Sequence, residues 1–267
     1  MEKEQIIFLH IPKTAGTTMR GLIVEQYDAD RVAAIYEHQH IDEAGFSALP
    51  VQEKNKLDVL IGHFGYGFHR HLEGCSRPYR YATFVREPMQ RFLSLYNHLA
   101  NVQFKGSPPD FWSLLRGPAP WRFNNYQTRM ISGVNPEVGQ CSLEMLDIAI
   151  ERIEKEFDFV GVTELFNESL VVASEKWGWE LRPYKIRNTA SRFKADFRSH
   201  LSGEDMEVFI DRNSLDIKLY DYCKNRLLES LAKIPDGVSK LEFIGTAVAA
   251  LEEQMPAGDA GMLKQDN

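Results

Sequence analysis

Ile6-Ile7-Phe8-Leu9-His10-Ile11-Pro12-Lys13-Thr14-Ala15-Gly16-Thr17-Thr18-Met19 decides the fold. The run from Ile6 to Leu9 is short, apolar and rich in β-branched and aromatic side chains, the mark of a strand covered on both faces. Met19, Leu22 and Ile23 then fall at i, i+3 and i+4, the stripe of a helix. The loop between them carries Lys13, a single glycine and paired threonines. In an open α/β sheet, ligands gather at the carboxyl ends of strands. A helix N-terminus there offers N–H groups and partial positive charge, which suits a phosphate or sulfate. Gly16 is expected to let the backbone approach that ligand, Thr17 and Thr18 to add hydroxyls, and Lys13 a full charge. Lys13 precedes Gly16, whereas the common nucleotide-hydrolase loop places its lysine after a second glycine. An ordinary P-loop hydrolase is therefore disfavoured.

Three more segments read as buried strands: Leu57–Ile61, Tyr81–Val85 and Phe157–Val162. Helical stripes lie between them, at Phe92, Leu95, Tyr96 and Leu99, and at Leu143, Leu146, Ile150 and Ile153. Ser142, Asn167, Ser202 and Ser214 are candidate N-caps, and Gly178 a candidate stop. Strands alternating with helices predict an α/β, three-layer fold with a central, mainly parallel sheet and a P-loop-like strand–loop–helix. The stretch from Gly106 to Pro120 breaks the pattern with Pro and Gly, as functional loops do. One domain over residues 1–255 and a flexible tail over 256–267 are expected.

A second anion site follows the third strand, in Phe84-Val85-Arg86-Glu87-Pro88 and the helix after it. Pro88 suits a first helical turn. Arg86 then falls on the same sheet edge as the Lys13 loop, with Ser94 about two turns into the helix. An arginine fork with a hydroxyl is a sound phosphate site. Arg91 fits either this site or a solvated helix face.

Together these motifs resemble the sulfotransferases that use 3′-phosphoadenosine 5′-phosphosulfate (PAPS), closest to the branch of heparan-sulfate 2-O-sulfotransferase and its bacterial relatives. His10–Thr18 resembles that branch's 5′-phosphosulfate loop. Phe84–Pro88 through Ser94 and Tyr96 resembles its 3′-phosphate motif. Phe159-Val160-Gly161-Val162-Thr163-Glu164 matches a further family segment. The resemblance spans roughly residues 5–195 and implies a PAPS-dependent sulfotransferase with PAP as product. Lys13, Thr14, Ala15, Gly16, Thr17 and Thr18 then hold the phosphosulfate, and Arg86 and Ser94 the 3′-phosphate. Arg187 and Asn188, in the basic segment Arg182–Lys194, are carried over as a donor-closing loop. The two sites have a physical logic, since one anion cradle fits any nucleotide and the second distinguishes a 3′-phosphorylated one from ATP.

Transfer to a hydroxyl needs a base for the acceptor proton and positive charge at the leaving oxygen. His63, in Gly62-His63 after the second predicted strand, is the candidate base and Lys13 the candidate charge. The heparan branch has a further histidine two residues earlier, where this chain has Ile61. His63 therefore acts alone or with a carboxylate not located in the sequence. His10 is expected to support the loop through a hydrogen bond. His69 and His71 flank Arg70 in a loop. His38 and His40 lack a third ligand, so no metal site is assigned. Asn125-Tyr126-Gln127 has a counterpart in bacterial members and is a candidate acceptor-facing segment, and Trp112, Trp121 and Phe123 are candidate pocket aromatics. Two rivals stay open: a nucleotide-dependent phosphotransferase and a non-catalytic nucleotide-binding module.

The 267 residues carry 31 Lys+Arg against 38 Asp+Glu, a net charge of −7, which opposes general nucleic-acid binding. Five Arg (70, 77, 80, 86, 91) against two Glu between His69 and Arg91 place the donor cleft in a locally basic stretch. The acid excess elsewhere favours a small-molecule, lipid or carbohydrate hydroxyl acceptor over a heparan-like polymer. Three cysteines show no disulfide framework. Without a signal-peptide pattern or an apolar run of about 20 residues, a cytoplasmic protein with no stable membrane insertion is expected.

Overall fold

The computed structural model describes residues 4–37, 41–102, 111–117, 121–185 and 202–253. One five-stranded sheet has the order β2-β3-β1-β4-β5. Its strands are β1 (Gln5–Leu9), β2 (Val32–Ile35), β3 (Val59–Gly62), β4 (Tyr79–Val85) and β5 (Phe157–Val162). All neighbouring strands are parallel, so the predicted α/β class is the one adopted. α1 (Gly16–Gln26) follows β1, α2 (Glu43–Ser47) and α3 (Val51–Lys56) precede β3, and α4 (Pro88–Val102) follows β4. α5 (Phe111–Arg116), α6 (Tyr126–Ser132) and α7 (Leu143–Lys155) lead to β5. α8 (Phe166–Trp177), α9 (Gly203–Ala232) and α10 (Gly237–Glu253) follow it. No described helix is long and apolar enough to cross a membrane.

The central strands are buried end to end, as their unbroken apolar runs require: β1 and β3 expose no residue. Phe8, Phe84 and Phe159 pack across β1, β4 and β5 in tilted and edge-to-face contacts. Each such side chain contributes about 1.5–3 kcal/mol by leaving water. A second apolar cluster joins Phe92 and Tyr96 of α4 to Phe111, Phe123 and Phe209. The three thiols are free.

Several local expectations change. β2, Val-Ala-Ala-Ile, is an edge strand too short and too small in side chain to stand out from its surroundings. In α7 the buried residues are Met145, Leu146, Ala149 and Ile153, and Leu143 is exposed. Ser142 occupies the N-cap there without a side-chain bond. Asn167 lies inside α8, whose N-cap is Leu165, and its side chain accepts from the Tyr184 hydroxyl. Gly178 ends α8 in the left-handed conformation, as predicted. Ser202 forms a full capping box with Asp205. α9 is two helical segments joined at Asn213, whose backbone is non-helical, so the second segment begins at Ser214 and its cap falls one residue earlier than expected. The Pro/Gly-rich stretch is interrupted by α5, with 103–110 and 118–120 outside the described residues, as is 256–267.

Topology places the site. The connection after β1 leads to β2 on one side of the sheet, and the one after β4 leads to β5 on the other. Adjacent strands whose connections diverge leave a crevice at their carboxyl ends, where ligands of open α/β sheets bind. Here those ends carry the Lys13 loop and Arg86. Register adds a second alignment. Leu9 of β1 and Ile35 of β2 both pair with Gly62 of β3. The next residue on each strand is His10, Tyr36 and His63, so these three meet at one edge.

Candidate active site

The loop after β1 is wound tightly. Lys13 (φ 73°) and Ala15 (φ 63°) are both left-handed, a conformation that costs a non-glycine residue about 1–2 kcal/mol. The Thr14 hydroxyl donates to Ile11 O at 2.8 Å, so that side chain braces the loop instead of reaching outward. Ala15 caps α1 without a side-chain bond and the first turn holds no acid. The N-terminal N–H groups of a helix have no partner within it, and here no side chain of the cap supplies one. Lys13 is half-buried, and burial together with the Arg86 charge pushes it down to about 8.

Gly16 has a role beyond the one predicted. A Cβ there would lie 1.9 Å from His10 Cδ2 and 2.1 Å from Nε2. The glycine makes room for the His10 ring.

At the end of β4, the Arg86 guanidinium donates to Lys13 O at 3.1 Å, joining the two predicted anion sites. Glu164, from the Gly161–Glu164 segment, faces Arg86 Nε at 3.6 Å. Arg86 Nε is buried and makes no hydrogen bond. Its backbone is held by Gln127, whose Oε1 accepts from Arg86 N at 2.7 Å and whose Nε2 donates to Arg86 O at 2.8 Å. Glu87 caps α4 by accepting from Met89 N and Gln90 N. Ser94 is half-buried on the same helix, about 9 Å along the axis from Pro88. Arg91 is fully buried, with its guanidinium 4.9 Å from the Tyr126 ring centroid and Nη2 donating to Arg122 O. It is not a solvated helix-face charge: Nε and Nη1 are buried without a hydrogen bond among the described residues.

His63 follows β3. A Cβ on Gly62 would meet Ile35 O at 2.0 Å, so only glycine brings the strand end this close to β2. The His63 ring lies 4.6 Å from that of His10 and 4.8 Å from that of Tyr36. Among the described residues it has no hydrogen-bond or ion-pair partner. Of the two alternatives, acting alone or with a carboxylate, no described carboxylate bonds His63, and its ring neighbours are His10 and Tyr36. His63 keeps open surface yet sits in a recess among cations. Desolvation, with Arg122, His98, Arg20 and Lys13, pushes it down to about 4. It is neutral at pH 7, as a proton acceptor must be.

Other predicted residues lie elsewhere. His69 bonds the Tyr81 hydroxyl at 2.8 Å and stacks on Tyr79, while His71 meets Glu43 at 2.9 Å. Asn125-Tyr126-Gln127, the candidate acceptor-facing segment, is buried scaffold: Asn125 accepts from Leu215 N and Asp216 N, and Gln127 clamps Arg86. Phe123 is core, whereas Trp121 is exposed beside Arg122. Arg77 pairs with Asp58 and Arg80 with Glu4, at the opposite end of the sheet. The cleft's charge therefore does not come from them. Arg187, Asn188, His38, His40 and the Trp112 side chain lie outside the described residues.

Sequence reasoning missed Arg20, Tyr36, His98 and Arg122. His98 had a signal: it stands four residues after Ser94, on the same face of α4. Burial and Lys13 push it down to about 4. Arg20 lies over the Tyr36 ring at 5.1 Å. No group of metal-ligating side chains occurs among the described residues. An open recess of about 440 Å³ at the other end of α1, lined by Tyr27, Arg31 and Asp58, is remote from this edge.

Residues 1–223 match the description "Sulfotransferase family". Among curated proteins the chain is similar to galactose-3-O-sulfotransferase 3 of Homo sapiens and of Mus musculus. Each is 24% identical over 236 residues, covering 81% of this chain and 54% of the relative. The chain thus spans about half the length of the curated relatives it matches. Among solved structures it is similar to mouse sulfotransferase SULT7A1 complexed with PAP. That likeness has 12% identity and a TM-score of 0.45, over 92% of this chain and 90% of that one.

Proposed function

The chain belongs to the sulfotransferase family, and on that premise we propose that it moves a sulfuryl group from PAPS to a carbohydrate hydroxyl. The observation that carries the reading is a neutral, unbonded His63 one strand away from a cationic loop that Arg86 ties to a second anion site.

The residues present fit the donor. Arg86 Nε is a buried donor without a hydrogen bond, and α1 begins uncapped above Lys13. Lys13, Thr14, Ala15, Gly16, Thr17 and Thr18 would hold the 5′-phosphosulfate, largely through loop and helix backbone. Arg86 and Ser94 would hold the 3′-phosphate, with Arg187 and Asn188 assigned to the same donor by resemblance. When bound, PAPS supplies an activated sulfuryl group and leaves as PAP. Lys13 places its charge at the developing leaving oxygen, the kind of preorganised stabilisation that dominates such transfers. His63 takes the acceptor proton on a ring nitrogen that no described side chain occupies. The transferred group is already charged, so the protein's work is positioning and electrostatics.

The acceptor approaches from the β3 side, where His63 stands, because the donor crevice lies between β1 and β4. A carbohydrate is favoured because the curated relatives are named galactose sulfotransferases. The test offers labelled PAPS with galactose-terminated oligosaccharides, lipid alcohols and small alcohols. Label in the oligosaccharide is expected. Label only in lipid or small alcohols overturns the acceptor class. PAP binding with no transfer to any hydroxyl makes the chain a non-catalytic module.

A further inference from the structure

His10 has more contacts than loop support requires. It is almost wholly buried, with 8% of its surface exposed. Its Nδ1 is 2.8 Å from the Tyr36 hydroxyl. Its Cδ2–Nε2 edge fills the space where a Gly16 side chain would stand, against the first residue of α1. Its ring meets His63 at 4.6 Å. Its backbone N–H donates to Gly62 O at 2.9 Å, just before His63. One side chain thus touches the donor loop's helix, the β2 edge and the candidate base.

We propose that His10 is a positioning residue: it holds the His63 ring in register with the Lys13–Thr18 loop, and the Tyr36 hydroxyl fixes its own orientation. His10 does not take the acceptor proton, because Gly16 walls its outward edge and Tyr36 occupies Nδ1. Burial and the neighbouring His63, Arg20 and Lys13 keep it neutral. A neutral ring beside His63 leaves that residue free to accept charge, where a cation would oppose it. Among the described residues, Arg20 over Tyr36, Lys13 from the loop, His98 from α4 and Arg122 are the charged or titratable groups acting on His63, with His10 and Tyr36 as its neutral neighbours. The proposal rests on the sulfotransferase reading for its catalytic consequence, but its geometric content does not.

The test is a cycle of His10→Ala, Gly16→Ala and the double variant, with Tyr36→Phe and His10→Asn alongside. His10→Ala is expected to lower kcat by about 100-fold, the cost of a base displaced by about 1 Å. PAP affinity and acceptor KM should stay within about threefold. Gly16→Ala should drive its methyl into the His10 ring and weaken PAP binding at least about tenfold, and adding His10→Ala should restore binding without restoring kcat. His10→Asn, which still reaches the Tyr36 hydroxyl from the Nδ1 position, should recover part of the loss. Side-chain NMR of His63 in the free protein should show one ring orientation in the wild type and averaging in His10→Ala and Tyr36→Phe. The acid limb of the pH–rate profile should shift in the same variants. Unchanged kcat and unchanged His63 resonances in His10→Ala overturn the proposal. So does a loss of kcat that merely tracks PAP affinity or melting temperature. Failure of the wild type to turn over PAPS would instead refute the sulfotransferase reading, with the NMR result still deciding the role of His10.

Discussion

Gly16 shows how a residue can be rightly singled out for an incomplete reason. Its place at a helix start suggested backbone approach to an anion. The structure uses it to seat His10, a contact between residues six apart that no local motif displays. Lys13 and Arg86 were legible because each stands in a local strand-end motif. The cluster of His10, Tyr36 and His63 was not, because it depends on the register of three strands, one of them unpredicted. His63→Ala is expected to lower kcat by about 10²–10⁴-fold, the range for losing a general base, with PAP affinity nearly intact by calorimetry. Turnover near the wild-type rate would remove His63 from that role. The pH dependence follows from the directions of the shifts. His63 is held down to about 4, so it stays neutral through the physiological range, and kcat/KM falls only on acidification toward that value. Lys13 is held down to about 8, so its cation is lost above that pH and PAP affinity should weaken there. Constant PAP affinity from neutral pH to well above 8 would contradict the placement of Lys13 in the donor site.

Among the elements, α6 changed meaning most. The resemblance makes its opening residues a candidate acceptor-facing segment, and they are buried, bonded to α9 and to the Arg86 backbone. Asp216 accepts from Gln127 N, Thr128 N and the Thr128 hydroxyl, completing the start of the helix. Gln127 then grips both polar groups of the Arg86 backbone. Polar residues with this much buried bonding look in sequence like surface residues, since their partners are 41 and 88–89 positions away. Gln127→Ala should strand two buried backbone groups at about 1–3 kcal/mol each. A lowered melting temperature together with weaker PAP binding is expected. Normal PAP affinity in a destabilised variant would show that Arg86 does not need the clamp. α4 was more readable, since Pro88, the apolar stripe and Ser94 fix its start and face. His98 follows on that face by helical spacing alone.

For the whole molecule, the parallel sheet was legible because β1, β3, β4 and β5 are continuous apolar runs. Strand order was not, and it is the order that puts the Lys13 loop beside Arg86. The net charge of −7 looks different in this light. Arg77 and Arg80, counted toward a basic cleft, serve the far end of the sheet. The cleft's cations are Lys13, Arg20, Arg86 and Arg122, drawn from α1, the ends of β1 and β4, and the segment before α6. Three histidines at this edge, His10, His63 and His98, are all shifted down. Between the ordinary histidine value and their lowered ones, the unfolded chain binds protons that the folded one refuses. Acid therefore favours unfolding in that window. Calorimetric melting should fall from about pH 6.5 toward about pH 5, and a level melting temperature across that window would contradict the lowered values of these three rings.

The claim on which the rest depends is that two anion cradles, at the ends of β1 and β4, select a 3′-phosphorylated nucleotide. Titration calorimetry of the wild-type chain with PAP and with ADP tests it directly. Contacts from Arg86 and Ser94 to the 3′-phosphate are charge-assisted hydrogen bonds worth about 1.5–3 kcal/mol each. A preference for PAP of at least about 100-fold is therefore predicted. Equal affinity for the two nucleotides would contradict it.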